Sequence, residues 1–233
     1  MINEFRTKHW TSLKERHRAG AWEVLDAGYG DRHRAYHSWK HIVDLLEKLN
    51  ELSHLVVRRD IITTAIFWHD VVYLTRNTDG GQRPDRENVS DSAELFRRYS
   101  LFKESDAVAV YEMIMATADH IHAEAKQQHY AGFVADLDLF LDLDLSPLAA
   151  PWGKFAANFE KIRFEYSWVP EAEFYSGQLK MLEEYMIAGA RLFRRPETTK
   201  KWLNFATANL TRCVNELRTR LALPVSGSAN AVR

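Results

Sequence analysis

Apolar residues recur three and four positions apart along almost the whole chain, and clean period-2 alternation is nearly absent, so the pattern predicts an all-α fold. Helices are expected near 3–27, 35–53, 60–74, 89–99, 104–122, 152–167, 171–194 and 197–222, with breaks at Pro147, Pro151, Pro170 and Pro196. That makes seven or eight. In the second, Ile42, Leu45, Leu46, Leu49 and Leu52 form the buried arc. Polar connections follow from Gly28-Tyr-Gly30 and from the Gly-, Pro- and Asx-rich stretch Arg76–Asp85. Neither an internal repeat nor a linker divides the chain, which reads as one helical domain over 1–223 with a small, polar, disordered tail over 224–233.

One apolar stretch breaks the rule that ionisable groups stay outside. His69-Asp70 sits inside Ile61-Ile-Thr-Thr-Ala-Ile-Phe-Trp-His-Asp-Val-Val-Tyr73. On a helix, Ile62, Ala65, Ile66, His69 and Tyr73 share a face, with Asp70 on its flank. A buried carboxylate without a partner is driven to its neutral form, so an Asp beside an inward-facing His calls for a cation, and a metal ion supplies one.

Composition narrows the possibilities. With 46% hydrophobic and 27% charged residues the chain reads as folded and soluble. Its 31 Lys and Arg balance 32 Asp and Glu, leaving no global field to draw it onto nucleic acid or an acidic membrane. A single Cys excludes an intramolecular disulfide and a thiolate metal cage, and fits a reducing compartment. No apolar run reaches about 18 residues and no signal-peptide core is visible, so a cytoplasmic location is expected.

Further candidate ligands lie on either side of the His-Asp pair. His37 and His41 are four apart, which on a helix puts both on one face; a short loop between antiparallel helices then brings His37, His69 and Asp70 to a common point. Alone, such a pair is as readily a surface feature. Asp142 and Asp144 are two apart, about 200° around a helix, so only one faces the site; the bland alternative places both in a helix N-terminal turn. His120 reads either as a cation at a helix C-terminus or as a further ligand or phosphate contact. His9, His17, His33, His54, His122 and His129 have no such context and are expected at the surface.

Mixed imidazole and carboxylate ligation suits Mn²⁺, Fe²⁺, Zn²⁺, Co²⁺ or Ni²⁺ and leaves positions for water, which such an ion acidifies. Arg34, Lys40 and Arg163 are the candidate phosphate contacts, with Arg32 also near the first His pair. For each, ordinary solvated charge is the competing reading.

Together these residues resemble the HD domain, a helical metal-dependent phosphohydrolase fold defined by the order H…HD…D. The likeness is closer to a bacterial subgroup of metal-dependent HD-superfamily phosphohydrolases. It is carried by Tyr36-His37 to His41-Ile42, Phe67-Trp-His-Asp-Val-Val-Tyr73, Thr117 to His120, Asp142-Leu-Asp-Leu145 and Arg163-Phe-Glu-Tyr166, and it runs from about 28 to 220. One motif departs: Asn88-Val-Ser-Asp-Ser-Ala93 lacks the subgroup's Glu after Asn. The resemblance implies an HD-like bundle, a metal held by His37, His69, Asp70 and Asp144, and Asp144 rather than Asp142 as the late ligand. His69 and Asp70 then carry the chemistry, hydrolysis of a small-molecule phosphate ester such as a nucleotide, through a metal-activated water.

Two other readings compete. A di-iron HD oxygenase would use His41 and His120 for a second metal. A non-catalytic helical module would bind a ligand, a partner or a second copy of the chain through exposed Trp10, Trp39 or Trp202.

Overall fold

Residues 2–222 are described by a computed structural model, and the expected tail at 224–233 lies outside them. The fold is all-α. Ten α-helices follow in order: α1 (Ile2–Thr11), α2 (Ala21–Tyr29), α3 (Trp39–Glu51), α4 (Arg59–Trp68), α5 (Asp85–Tyr99), α6 (Glu104–Ala116), α7 (Phe133–Leu145), α8 (Trp152–Glu165), α9 (Glu171–Ala188) and α10 (Pro196–Ala222). Among the described residues there is no strand, only isolated bridges between His17 and Ser100 and between Arg76 and Gln82. No helix among them is long and apolar enough to cross a membrane.

The central element is α4. Every residue from Ile61 to Trp68 is buried, and α3, α5, α6 and α7 pack around it. Its start is held from α7: the Asp136 carboxylate accepts the Val57 and Arg58 backbone N–H groups at 2.8 and 2.7 Å and the Tyr130 hydroxyl at 2.8 Å. These bonds satisfy the amides at the helix entry, where no intrahelical acceptor exists. Its C-terminal end, rich in unpaired carbonyls, is therefore aimed at a fixed place, and that is where His69 and Asp70 follow.

Several boundaries differ from those the periodicity suggests. The expected helix over 3–27 is two helices separated by a 3₁₀ turn at Lys14–Arg16 and by Gly20, whose φ of +86° suits glycine. The helix expected over 60–74 stops at Trp68, and the one expected over 104–122 stops at Ala116 before a 3₁₀ turn. The helix over 171–194 ends at Ala188, where Gly189 takes φ +55°.

α7 is an element the periodicity did not call for. Its Phe133, Leu137, Leu139, Phe140, Leu141, Leu143 and Leu145 are all buried, on every side of the helix. A helix covered all round carries no amphipathic signature, and its Asp-Leu repeats obscure the 3.6-residue period.

A single connected core runs from Trp10 to Leu217. Trp10, Trp39 and Trp202 belong to it, each exposed by 8% or less, so none marks an interface. His17 and His129 are also inside, contrary to the surface positions expected for them. The His17 ring lies between Leu13 and Trp68, donating Nδ1–H to the Leu13 carbonyl at 3.0 Å and accepting the Trp68 indole N–H at 3.2 Å. The His129 ring is bonded to the Glu112 carboxylate at 2.7 Å.

Candidate metal centre

Three segments converge at the C-terminal end of α4. His41 comes from the first turn of α3, His69 and Asp70 from the end of α4, and Asp144 from the last turn of α7. His69 donates Nδ1–H to the Ile66 carbonyl at 3.0 Å, which leaves its Nε2 lone pair facing the group. The two Nε2 atoms of His41 and His69 are 3.3 Å apart. Asp70 Oδ2 lies 3.1 Å from His69 Nε2 and 3.7 Å from His41 Nε2, and Asp144 Oδ1 lies 3.5 and 3.2 Å from the same atoms.

Donor atoms at such mutual distances fit one ion. Two imidazole nitrogens each about 2.0–2.1 Å from a metal, at angles between octahedral and tetrahedral, sit roughly 3 Å apart. Among the described residues, His41, His69 and Asp70 form one group able to hold a metal ion, with donor atoms all within 4.8 Å of one another. Both histidines are nearly inaccessible, with side chains 3% and 1% exposed, while Asp70 and Asp144 reach a cavity above them. Burial alone would lower the His69 pKa, but the charges of Asp70 and Asp144 outweigh it and raise it well above the ordinary value. The same pairing holds both carboxylates well below the usual range against the opposing effect of burial.

His41 therefore takes the place expected of His37. The reason is local. α3 begins at Trp39, so His37 precedes the helix and the two rings do not share a helical face. His37 is held instead by Glu165 from the end of α8. One Glu165 oxygen accepts the backbone N–H groups of Ala35, Tyr36 and His37 at 2.7–2.9 Å, and the other receives His37 Nδ1–H at 2.7 Å. The ring stacks on Tyr73 with centroids 3.6 Å apart. Burial opposes its positive charge, yet the bond to Glu165 and the charges of Asp70 and Glu165 win, and the His37 pKa is raised. With Nδ1 occupied, Nε2 is the nitrogen left for the cavity that His37 lines.

The late aspartates divide as helical geometry requires. Asp144 faces the centre, and its second oxygen pairs with His120 Nε2 at 2.8 Å. Asp142 points the other way, accepting the Arg194 and Arg195 backbone N–H groups and the Thr198 hydroxyl at the start of α10. Neither lies in a helix N-terminal turn. His120 is thus a partner of the candidate ligand Asp144 and a cavity-lining residue.

The three cations expected at a phosphate have other tasks. Arg34 donates to the Asp70 and Val71 carbonyls at 2.8 Å each, Arg163 to the carbonyls of Tyr166 and Val169, and Lys40 pairs with Asp44 at the surface. Arg34 is one of several clamps on the extended chain after Asp70. Ser92 bonds both polar groups of Val72, His33 reaches the Tyr73 carbonyl, Asn88 bonds both polar groups of Leu74, and the Arg83 N–H takes the Thr75 carbonyl. The departed motif on α5 thus positions the His-Asp segment, through Asn88 and Ser92.

The cavity above the centre has a volume of about 410 Å³. Tyr36, Tyr73, Tyr166, Tyr185, Gln82 and Gln178 give it neutral polar groups, and Asp85 and Glu173 give it carboxylates besides those of the His-Asp group. Sequence reasoning missed Glu165 and Asp85. Glu165 was visible only as a letter in Arg163-Phe-Glu-Tyr166, and Asp85 only as the last residue of a polar loop. No protein-family model, curated protein or solved structure matches this chain.

Proposed function

We propose that this chain is a metal-dependent phosphohydrolase of the HD type that cleaves a small phosphate ester. The reading is supported above all by one observation: two imidazole Nε2 atoms 3.3 Å apart and two aspartates meet at the floor of a cavity large enough for a small organic substrate. His41, His69, Asp70 and Asp144 would hold the ion, and this nitrogen and oxygen donor set suits Mn²⁺, Fe²⁺, Zn²⁺, Co²⁺ or Ni²⁺. When bound, such an ion polarises a phosphoryl oxygen and acidifies water.

The chain's own residues supply the rest. Asp144 is kept in place by His120, and Asp70 by the Arg34 bond to its own carbonyl. The buried rings of His41 and His69 shut the floor against solvent. His37, whose pKa the bond to Glu165 raises, turns Nε2 to the cavity and, when protonated, offers Nε2–H there. In the reaction, water oxygen bonds to phosphorus and the ester P–O bond breaks. The departing alcohol oxygen takes the proton from His37 Nε2, and the proton shed by water passes to solvent and restores the imidazolium.

Elemental analysis of the untagged protein, beside phosphate-release assays after loading with each of the five ions, tests the proposal. Near-stoichiometric metal and ester hydrolysis are expected in the wild type, with both lost in His69→Ala and His41→Ala. His37→Ala is expected to keep its metal and lose about 10²–10⁴-fold in rate, the range of a removed general acid. Full hydrolysis in His69→Ala would overturn the reading.

A further inference from the structure

The lining of the cavity is unusual for a phosphate site: among the described residues it contains no Lys or Arg. Four arginines on the segments that line it are engaged elsewhere. Arg34 and Arg163 bond backbone carbonyls, Arg83 pairs with Asp91, and Arg76 lies over the Trp168 ring. Imidazoles and a bound ion are the positive groups left, and both belong to the reacting end.

Asp85, at the head of α5, also lines the cavity. Its side chain does so from a solvent-exposed position and has no hydrogen-bond partner among the described residues. It lies within electrostatic reach of the Tyr73, Tyr166 and Tyr185 hydroxyls and of His37 and His120. Desolvation and next the charge of Asp70 push its pKa up, against the opposing charges of His37 and His120. Glu173 adds a second carboxylate to the wall. Aromatic faces with carboxylates attract ammonium groups and hydroxyls and repel anions.

We propose that the substrate is a phosphate monoester bearing a single phosphate on a neutral or, preferentially, cationic alcohol, and that Asp85 sets this charge preference. The inference rests on the hydrolase reading for its chemistry. Hydrolysis yields the free alcohol and inorganic phosphate, with water as the only co-reactant. A second phosphate or a carboxylate on the alcohol would face Asp85 and Glu173 with no Lys or Arg in the lining to neutralise it.

The test is a charge series on the Mn²⁺-loaded full chain: 3-phosphoglycerate, glycerol 3-phosphate and phosphoethanolamine, with a nucleoside triphosphate as the polyanionic extreme. kcat/KM is expected to rise at least tenfold from the carboxylate to the ammonium ester, with the triphosphate lowest. Asp85→Asn should compress that spread to within about threefold, and Asp85→Glu, which keeps the charge, should restore it. Equal rates across the series, best turnover of the triphosphate, or an unchanged spread in Asp85→Asn would overturn the proposal. If no ester is hydrolysed, the hydrolase reading falls, and calorimetric binding of the same compounds still decides this one. An affinity order that favours phosphoethanolamine and vanishes in Asp85→Asn supports it, whereas absent binding or no order refutes it.

Discussion

Asp142 and Asp144 leave the same turn of α7 in opposite directions, one to cap α10 and the other to join the histidines. Their substitution should separate stability from metal binding. Asp142→Ala strands the Arg194 and Arg195 backbone N–H groups and leaves the Thr198 hydroxyl only the Arg195 carbonyl, at a cost of about 2–4 kcal/mol, and should retain the ion. Asp144→Ala should lose the ion at a smaller cost in stability. Urea unfolding with metal analysis of both proteins checks this; metal loss in Asp142→Ala with an intact fold would contradict the division.

Glu165 should act through His37 on the pH profile. The raised His37 pKa keeps the imidazolium to higher pH than an ordinary histidine, so activity that depends on it should fade only as pH rises through that raised value. Glu165→Gln removes the charge that raises it. The basic limb of kcat should then move to lower pH, with metal content unchanged and a loss of roughly 10–100-fold on the basic side. An unmoved limb would reduce Glu165 to a structural brace.

His17 links stability to acid. Burial lowers it from 6.5 to about 4, with the Leu13 carbonyl opposing and Arg16 reinforcing the shift. Between those values the unfolded chain takes up a proton that the folded chain excludes. Its contribution is therefore complete above about pH 6.5 and is lost as pH falls toward 4, by about 3 kcal/mol in total. Denaturant midpoints at pH 7.5 and 4.5 should differ less in His17→Gln than in the wild type.

Gly28 lets α2 lie against the His-Asp segment. A Cβ there would sit 2.6 Å from the Val71 carbonyl oxygen, the acceptor of an Arg34 bond. Gly28→Ala must shift that backbone, with an expected cost of about 1–3 kcal/mol and weakened metal binding because Asp70 moves with it. Calorimetric metal titration of the variant would show the second effect; unchanged affinity would mean that α2 yields instead.

The parts of the site that were legible in the sequence share one property: they break a local rule. His69-Asp70 stands out as charge inside an apolar run, and the opposition of Asp142 and Asp144 follows from the helical period once a helix is granted. What stayed hidden depends on distant partners or on an element boundary. Whether His37 or His41 meets His69 turns on where α3 starts, a matter of two residues. The partner of His37 lies 128 positions away, and nothing near Glu165 in sequence announces three backbone amides converging on it. Likewise, Arg34 and Arg163 read as cations in need of an anion, whereas carbonyl oxygens at chain bends satisfy them. The helical class was plain from periodicity, but α7 was not, because burial on every side erases the contrast that periodicity measures.

The extended chain after Asp70 is the kind of segment that elsewhere pairs with another strand. Here each carbonyl from Val71 to Thr75 already has a donor, drawn in turn from Arg34, Ser92, His33, Asn88 and the Arg83 amide. Side chains of an adjacent helix and loop thus take the carbonyls that a neighbouring β-strand would otherwise pair, so that a second chain finds no row of free acceptors there on which to template itself.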